Sequence, residues 1–210
     1  MNMKRILITG LLLAAAAVAE AQPKIGLVFG PSISTNRFKF KANNGDITND
    51  GSALRFKFGL EVDMPISDSY VFSTGLIYAP KRAGFTVESI GNTAQEDYKL
   101  QYLQLPLTLK LYTNEIQPDI KAYFQLGFLA EVKIFSEPFE DDYVLIEDFK
   151  LYDTSFVFGA GVEYGAGLSS LLYGGIFYNR GLINVVDEAN ITDDLAARLD
   201  MFTLQVGLKF

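Results

Sequence analysis

The sequence predicts an all-β protein: an eight-stranded antiparallel, up-and-down transmembrane β-barrel preceded by a cleaved signal peptide. Three observations predict it. Apolar and polar residues alternate with a period of two in one segment after another, short and long connections alternate between these segments, and the N-terminus has the pattern of an export signal. The chain is therefore expected to cross a membrane with strands.

The first 21 residues have the three parts of a secretory signal peptide. Lys4 and Arg5 give a positive start, residues 6–19 are almost entirely apolar, and Ala19-Glu20-Ala21 is a small-x-small cleavage site. The alternative is a transmembrane anchor, but this stretch falls short of the roughly 20 apolar residues that a helical span needs. We expect residues 1–21 to be removed and residues 22–210 to form the barrel domain.

Strict alternation defines three strands most clearly. Even positions are apolar throughout 54–64, 119–134 and 202–210, and the odd positions between them are mainly charged, polar or glycine. Weaker patterns predict strands at about 24–35, 69–80, 98–112, 153–164 and 170–179. In the 98–112 segment the apolar set changes parity, which predicts a β-bulge near Tyr102. Pro106 then falls on the inward set, where a proline weakens the strand ladder.

The connections between the predicted strands are of two lengths. Residues 36–51, 81–97, 136–152 and 180–198 form long loops, and residues 65–68, 113–118 and 165–169 form short turns. Outer-membrane barrels have short periplasmic turns and long extracellular loops. An even number of strands places both ends of the domain on the periplasmic side.

Alternation shows two faces without showing which one meets lipid, and a soluble barrel would place the apolar face inside. The polar face also carries nine glycines and large apolar residues such as Val28, Ile77 and Phe177, a mixture that fills a narrow lumen. Aromatic residues at the periplasmic strand ends resemble an interfacial girdle; they are Tyr70, Tyr112, Tyr164 and Phe210. These features favour the apolar face towards lipid.

Candidate functional residues are the charges predicted to point into the lumen. One interpretation is an ion-pair network that fills a narrow barrel, and the other is a polar conduit for ions. A carboxylate pair for hydrolysis, drawn from Glu61, Asp63 and Glu163, ranks last. The predicted lumen set is Arg55, Lys57, Glu61, Asp63, Lys110, Lys121, Glu131, Lys133, Glu163 and Lys209.

A second candidate is an acidic outer loop. Its carboxylates suggest either divalent-cation binding or contact with a basic partner, or simply a solvated loop kept out of the membrane. An EF-hand spacing is not present. The predicted loop set is Glu137, Glu140, Asp141, Asp142, Glu147 and Asp148.

The composition excludes several chemistries. The chain has no His and no Cys, so imidazole and thiolate catalysis are excluded, and we expect no enzyme, no cofactor and no metal centre. A formal net charge of −7 argues against nucleic acid as a partner.

Three motifs resemble the PorT-like outer-membrane β-barrel family. Residues 102–110 read Tyr-Leu-Gln-Leu-Pro-Leu-Thr-Leu-Lys, residues 75–84 begin Gly-Leu-Ile-Tyr and end Lys-Arg-Ala-Gly, and residues 178–184 contain Arg-Gly-Leu-Ile-Asn. The resemblance covers the mature chain and implies an outer-membrane barrel of a Gram-negative bacterium. Residues 205–210, Gln-Val-Gly-Leu-Lys-Phe, resemble the C-terminal signal that the barrel-assembly machinery reads.

Our leading hypothesis is a non-enzymatic outer-membrane barrel that presents outer loops for binding or supports the envelope. The alternatives are a small pore or solute conduit and a component of a protein-secretion assembly, the latter by family analogy alone. The expected partners are outer-membrane lipid, the barrel-assembly machinery during biogenesis and an envelope protein.

Overall fold

A computed structural model describes residues 22–39, 46–49, 51–89, 92–138, 146–167, 170–189 and 196–210. The predicted signal peptide, residues 1–21, lies outside this range and stays a prediction. In the described ranges, no helix is long and apolar enough to span a membrane. The strands, in chain order, are β1 (Lys24–Lys39), β2 (Asp46–Asn49), β3 (Ala53–Pro65), β4 (Tyr70–Ser89), β5 (Asn92–Gln117), β6 (Ile120–Pro138), β7 (Ile146–Phe149), β8 (Tyr152–Gly165), β9 (Leu171–Gly181), β10 (Val186–Ala189) and β11 (Ala196–Lys209).

Eight of these strands close into an antiparallel barrel, which confirms the predicted fold. Their order is β4-β3-β1-β11-β9-β8-β6-β5, and β5 pairs with β4 to close the ring. β2 pairs with the outer end of β4, while β7 and β10 form a separate two-stranded sheet. Closure leaves no open edge, so every barrel strand finds backbone partners on both sides, as a lipid environment requires.

The apolar face points outward, as the sequence predicts. Phe56, Leu126 and Val206 are 49%, 44% and 49% exposed, whereas Lys57 and Lys110 on the opposite face are 4% and 0% exposed. A Lys or Arg facing lipid near the midplane would cost ~2–4 kcal/mol, so this orientation is the one that a bilayer stabilises.

Strands extend further on the outer side than predicted. The expected loop at 81–97 is wrong, because β4 continues to Ser89 and β5 starts at Asn92, with Gly84 paired to Asp97. The inward side chains of this extension, Phe85 and Tyr98, are apolar and buried. These two side chains pack inside the β4–β5 hairpin above the membrane. No row of lipid-facing apolar residues accompanies them there, so the alternation pattern did not predict the hairpin. On the periplasmic side β5 also continues to Gln117, which shortens the predicted 113–118 turn.

In β5 the apolar residues change from even to odd positions near Tyr102, and the cause is not the bulge that was predicted in this strand. β5 keeps one phase: Tyr102 and Gln104 both point inward and are buried. The apolar residues at 98–102 are inward because they lie above the lipid band. The irregularity is on β6 instead, where Gln101 pairs with Phe135 and Tyr102 with Lys133, leaving one extra residue.

Pro106 interrupts the ladder between β4 and β5. The β4–β5 pairing runs to Ser73–Thr108 and resumes at Ile77–Gln104, so the pairs around Pro106 are missing on that side. Proline has no backbone N–H to donate. On its other side Pro106 stays in register with Leu129.

Three of the four predicted girdle residues point outward at the periplasmic end. Tyr70, Tyr164 and Phe210 are about half exposed. Tyr112 is the exception, because its hydroxyl donates to Glu163 inside the barrel at 2.9 Å. The prediction that placed Tyr112 in the girdle is therefore wrong.

Candidate functional site

The periplasmic half of the lumen holds a cluster of ion pairs, here called the lower cluster: Glu61, Asp63, Lys110, Glu163 and Lys209. Lys110 Nζ lies 3.0 Å from Glu61 Oε1 and 3.0 Å from Asp63 Oδ1. Lys209 Nζ lies 2.6 Å from Asp63 Oδ2 and 2.6 Å from Glu163 Oε2. Strands β3, β5, β8 and β11 each contribute a member, so the cluster ties the barrel together across its bore.

Hydroxyl groups and tyrosine rings complete the lower cluster. Ser73 donates to Glu61 at 2.9 Å, and Tyr112 donates to Glu163. Lys209 and Lys110 lie over the ring of Tyr173, at 4.3 Å and 5.3 Å from its centroid. A cation over an aromatic face is stabilised further where water is scarce. The two ammonium groups are thus surrounded by carboxylates and rings.

A mostly aromatic layer lies in the bore beside and above these pairs. It contains Tyr123, Leu129, Val157, Tyr173 and Phe177, all buried, with Tyr112 packed against it. Glycine makes this layer fit: a Cβ added to Gly161 would lie 2.6 Å from Cζ and the hydroxyl of Tyr123. The glycines of the polar face therefore provide room for large rings in a narrow cylinder.

A second set of ion pairs, here called the middle cluster, lies towards the outer side: Lys81, Glu131, Asp153, Gln104 and Ser155. Lys81 Nζ lies 2.5 Å from Glu131 Oε2 and 3.3 Å from Asp153 Oδ2. Ser155 and Gln104 donate to Glu131 at 2.7 Å and 3.2 Å. All five side chains are buried.

Lys81 and Asp153 are lumen residues that the sequence pattern did not identify. Lys81 was assigned to a loop, and Asp153 sits at the first position of its predicted strand. In β4 and β8 the odd-numbered side chains point inward, and Lys81 and Asp153 are odd-numbered. Alternation therefore identifies both residues as inward once the strands are extended.

The remaining predicted lumen charges do not join either cluster. Lys57 is buried but makes no ion pair within the described ranges. Arg55 is half-buried and donates to the carbonyl of Leu54 at 3.2 Å. Lys121 is half-buried and lines a periplasmic cavity. Lys133 lies nearer the outer end and bonds Asp148 at 2.7 Å and the carbonyl of Phe149.

An apolar cluster, here called the outer plug, lies inside the outer ends of the barrel strands. β7 and β10 contribute to it and pack against the inward side chains of β4, β5 and β11. Tyr98 donates to Glu96 at 2.6 Å and accepts from the backbone N–H of Ile146 at 2.9 Å, which attaches β7 to β5. The plug consists of Ala83, Phe85, Tyr98, Leu100, Tyr102, Ile146, Phe149, Val185, Val186, Ala197 and Leu199.

The predicted acidic loop is divided between strands. Glu137 lies in β6, whereas Glu147 and Asp148 lie in β7. Glu140, Asp141 and Asp142 lie outside the described residues. The hydrogen bond from Lys133 lowers the pKa of Asp148. Across the described part of the chain, no group of three or more acidic side chains is arranged to hold a metal ion.

The lysine side chains of the two clusters are shielded from water, whereas Glu163 at the periplasmic edge is 12% exposed. Lys110, Lys209 and Lys81 are at most 1% exposed, although a water-filled bore would leave such long side chains accessible. A cavity of about 460 Å³ opens at the periplasmic end, and its lining includes Asp63, Tyr112 and Glu163. The cavity thus borders the lower cluster.

Comparison with known proteins agrees with this architecture. Residues 20–187 match the model of the family described as outer membrane protein beta-barrel domain. The chain belongs to this family. It is thus an outer-membrane barrel protein of a Gram-negative bacterium, and the lipid-facing row of apolar residues meets the outer membrane. No curated protein matches the sequence.

Two solved structures share the fold of this outer-membrane barrel at low sequence identity. The outer membrane protein OprG from Pseudomonas aeruginosa is 14% identical, with a TM-score of 0.55 over 89% of this chain and 95% of the OprG chain. The outer membrane protein AlkL, solved in lipid bilayers, is 16% identical, with a TM-score of 0.50 over 90% of each chain. These likenesses support the barrel architecture and nothing finer.

Proposed function

We propose that the protein is a closed, non-enzymatic outer-membrane barrel that presents its outer end for binding and supports the envelope. The observation that carries this proposal is the packing of the bore, from the lower cluster through the aromatic layer and middle cluster to the outer plug. Ion pairs and rings at these positions stabilise a rigid scaffold. The extended strands β4, β5 and β11 then raise a structured surface above the membrane.

The competing function is a small pore, and single-channel recording distinguishes the two. The full mature chain is refolded into planar bilayers, with protease protection as the check that it has inserted. We expect no discrete conductance steps. The comparison variant combines Tyr123→Ala with Tyr173→Ala, which removes two rings from the bore. Discrete steps from the unmodified protein would overturn the proposal and favour the pore.

The same proposal includes membership of the PorT-like family and recognition of the C-terminus by the barrel-assembly machinery. The support for an assembly signal is that Gln205 is buried while Phe210 is exposed to lipid at the end of the last strand. We expect Phe210→Ala to lower the amount of folded barrel in the outer membrane of cells. Equal amounts of folded protein would count against recognition of this end. A role in protein secretion rests on the motifs alone, and recovery of no fixed partner from solubilised envelopes would count against it.

A further inference from the structure

Three arginines lie on the outward face of the barrel at the outer ends of neighbouring strands. Arg37 is on β1, Arg180 on β9 and Arg198 on β11, and we call these three the arginine patch. Strand register brings them together: Arg37 pairs with Arg198 across β1 and β11, and Arg180 pairs with Asp200 across β9 and β11. The patch therefore covers three adjacent strands on one side of the barrel.

Within the described residues, one carboxylate, Asp200, forms an ion pair with the arginine patch. It already accepts four hydrogen bonds. Asp200 accepts from Arg37 Nε at 2.6 Å and from Arg37 Nη2 at 2.9 Å. It also accepts from the Tyr178 hydroxyl at 2.9 Å and from the Gly181 backbone N–H at 3.0 Å. Arg180 and Arg198 make no ion pair in the described part of the chain. Two positive charges are thus left uncompensated there.

The patch lies directly beyond the lipid-facing row. On β11, Phe202 is 45% exposed, and Asp200 and Arg198 follow it outward on the same face. Two residues along a strand rise ~7 Å. Phe202 pairs with Ile33 on β1, which is also exposed to lipid. Arg180 and Arg198 are therefore at the depth of lipid headgroups, on the side of the barrel with the long loops.

The opposite side of the barrel is different at this level. Arg82 on β4 forms an ion pair with Asp97 on β5, so that arginine is compensated. Further round, β6 presents Ile134 and Phe135 outward. Among the residues that the structure describes, the outward-facing arginines without an ion pair lie on this one side, which argues for a particular contact rather than a general effect of the membrane surface.

We propose that the arginine patch binds the phosphate groups of a phosphorylated lipid in the outer leaflet. The guanidinium group presents several N–H donors in a planar fork that matches phosphate oxygens. Arg37 is held in place by Asp200 and the Gly181 carbonyl, so it orders the site. Arg180 and Arg198 then meet the phosphates, while Ile33 and Phe202 pack against the acyl chains below.

The test compares lipids that differ only in phosphate. The full mature chain is refolded into phosphatidylcholine vesicles containing lipid A or lipid A stripped of its phosphates, and bound lipid is measured by native mass spectrometry after extraction. We expect retention of the phosphorylated lipid and about tenfold weaker retention by Arg180→Gln combined with Arg198→Gln, which corresponds to ~1.4 kcal/mol. Retention of both lipids equally would overturn the proposal.

Two controls make the result specific. Lys99→Gln removes an exposed cation on β5, away from the patch, and should leave retention unchanged. Inorganic phosphate added to the detergent-solubilised protein should not displace the lipid, because the acyl chains contribute to binding. If Lys99→Gln lowers retention as much as the double variant does, the contact is general surface electrostatics and the proposal fails. Heat-modified migration on gels checks that each variant is folded.

Discussion

Removal of Lys110 is the sharpest perturbation of the lower cluster. Lys110 is fully buried and contacts Glu61 and Asp63, each at 3.0 Å. At an effective dielectric constant of about 20, each pair carries a gross attraction of ~5 kcal/mol. Desolvation of the ions offsets much of this, and Lys209 still compensates Asp63. We therefore expect Lys110→Met to lower the free energy of unfolding by ~3–5 kcal/mol, the usual cost of breaking a buried pair.

Urea unfolding of the protein in lipid vesicles measures this loss. The chain has no Trp, so far-ultraviolet circular dichroism and gel migration are the suitable probes. Lys24→Met, at the exposed end of β1, is the matched control and should change stability by no more than ~0.5 kcal/mol. Adding Glu61→Gln to Lys110→Met should recover part of the loss, because one uncompensated carboxylate becomes neutral. A loss below ~1 kcal/mol, as for a surface pair, would refute the reasoning.

Other predictions test the lipid face, the crowded interior and the outer end. Leu126→Lys should destabilise the protein in vesicles by ~2–4 kcal/mol, and a neutral result would contradict lipid exposure. Gly175→Ala places a Cβ 2.5 Å from a neighbouring carbonyl oxygen and should cost ~1–3 kcal/mol in unfolding assays. The adjacent Gly174→Ala, whose Cβ would meet its nearest atom at 3.4 Å, should be nearly neutral, and equal losses would refute the crowding argument. By NMR, Asp148 should titrate below the ordinary pKa of an aspartate. Its hydrogen bond to Lys133 stabilises the outer end above the ordinary pKa, and this stabilisation is lost as the pH falls. Lys133→Met should restore an ordinary titration.

The sequence was sufficient for the barrel and for the direction of most side chains within its membrane-spanning part. Alternation with period two places Phe56 outward and Lys57 inward without any knowledge of partners, because strand geometry alone sets that parity. The same parity predicted Lys110 and Lys209 as inward. Which charges meet was not predictable, because the pairing of Lys110 with Asp63 depends on the register of strands that are distant in sequence.

The outer end could not be predicted from alternation, for a physical reason. Above the bilayer the outward face meets water and the inward face is apolar, so the pattern inverts at Tyr98 and Tyr102. If lipid is assumed along the whole strand, this inversion resembles a bulge or a loop. Lys81 and the outer plug were not predicted for this reason. Tyr112 was misplaced for a related reason, because an aromatic residue at a strand end suits either a girdle or the lumen.

Thiol reactivity along β6 tests the central claim most directly, since the chain has no native Cys. Single Leu126→Cys and Gln125→Cys variants, refolded in vesicles, are exposed to a membrane-soluble and a water-soluble thiol reagent. A closed barrel with its apolar face in lipid predicts that the residue-126 thiol reacts only with the membrane-soluble reagent and that the residue-125 thiol reacts with neither. Rapid reaction at position 125 with the water-soluble reagent would contradict the closed bore, and membrane-soluble labelling at 125 but not at 126 would contradict the orientation.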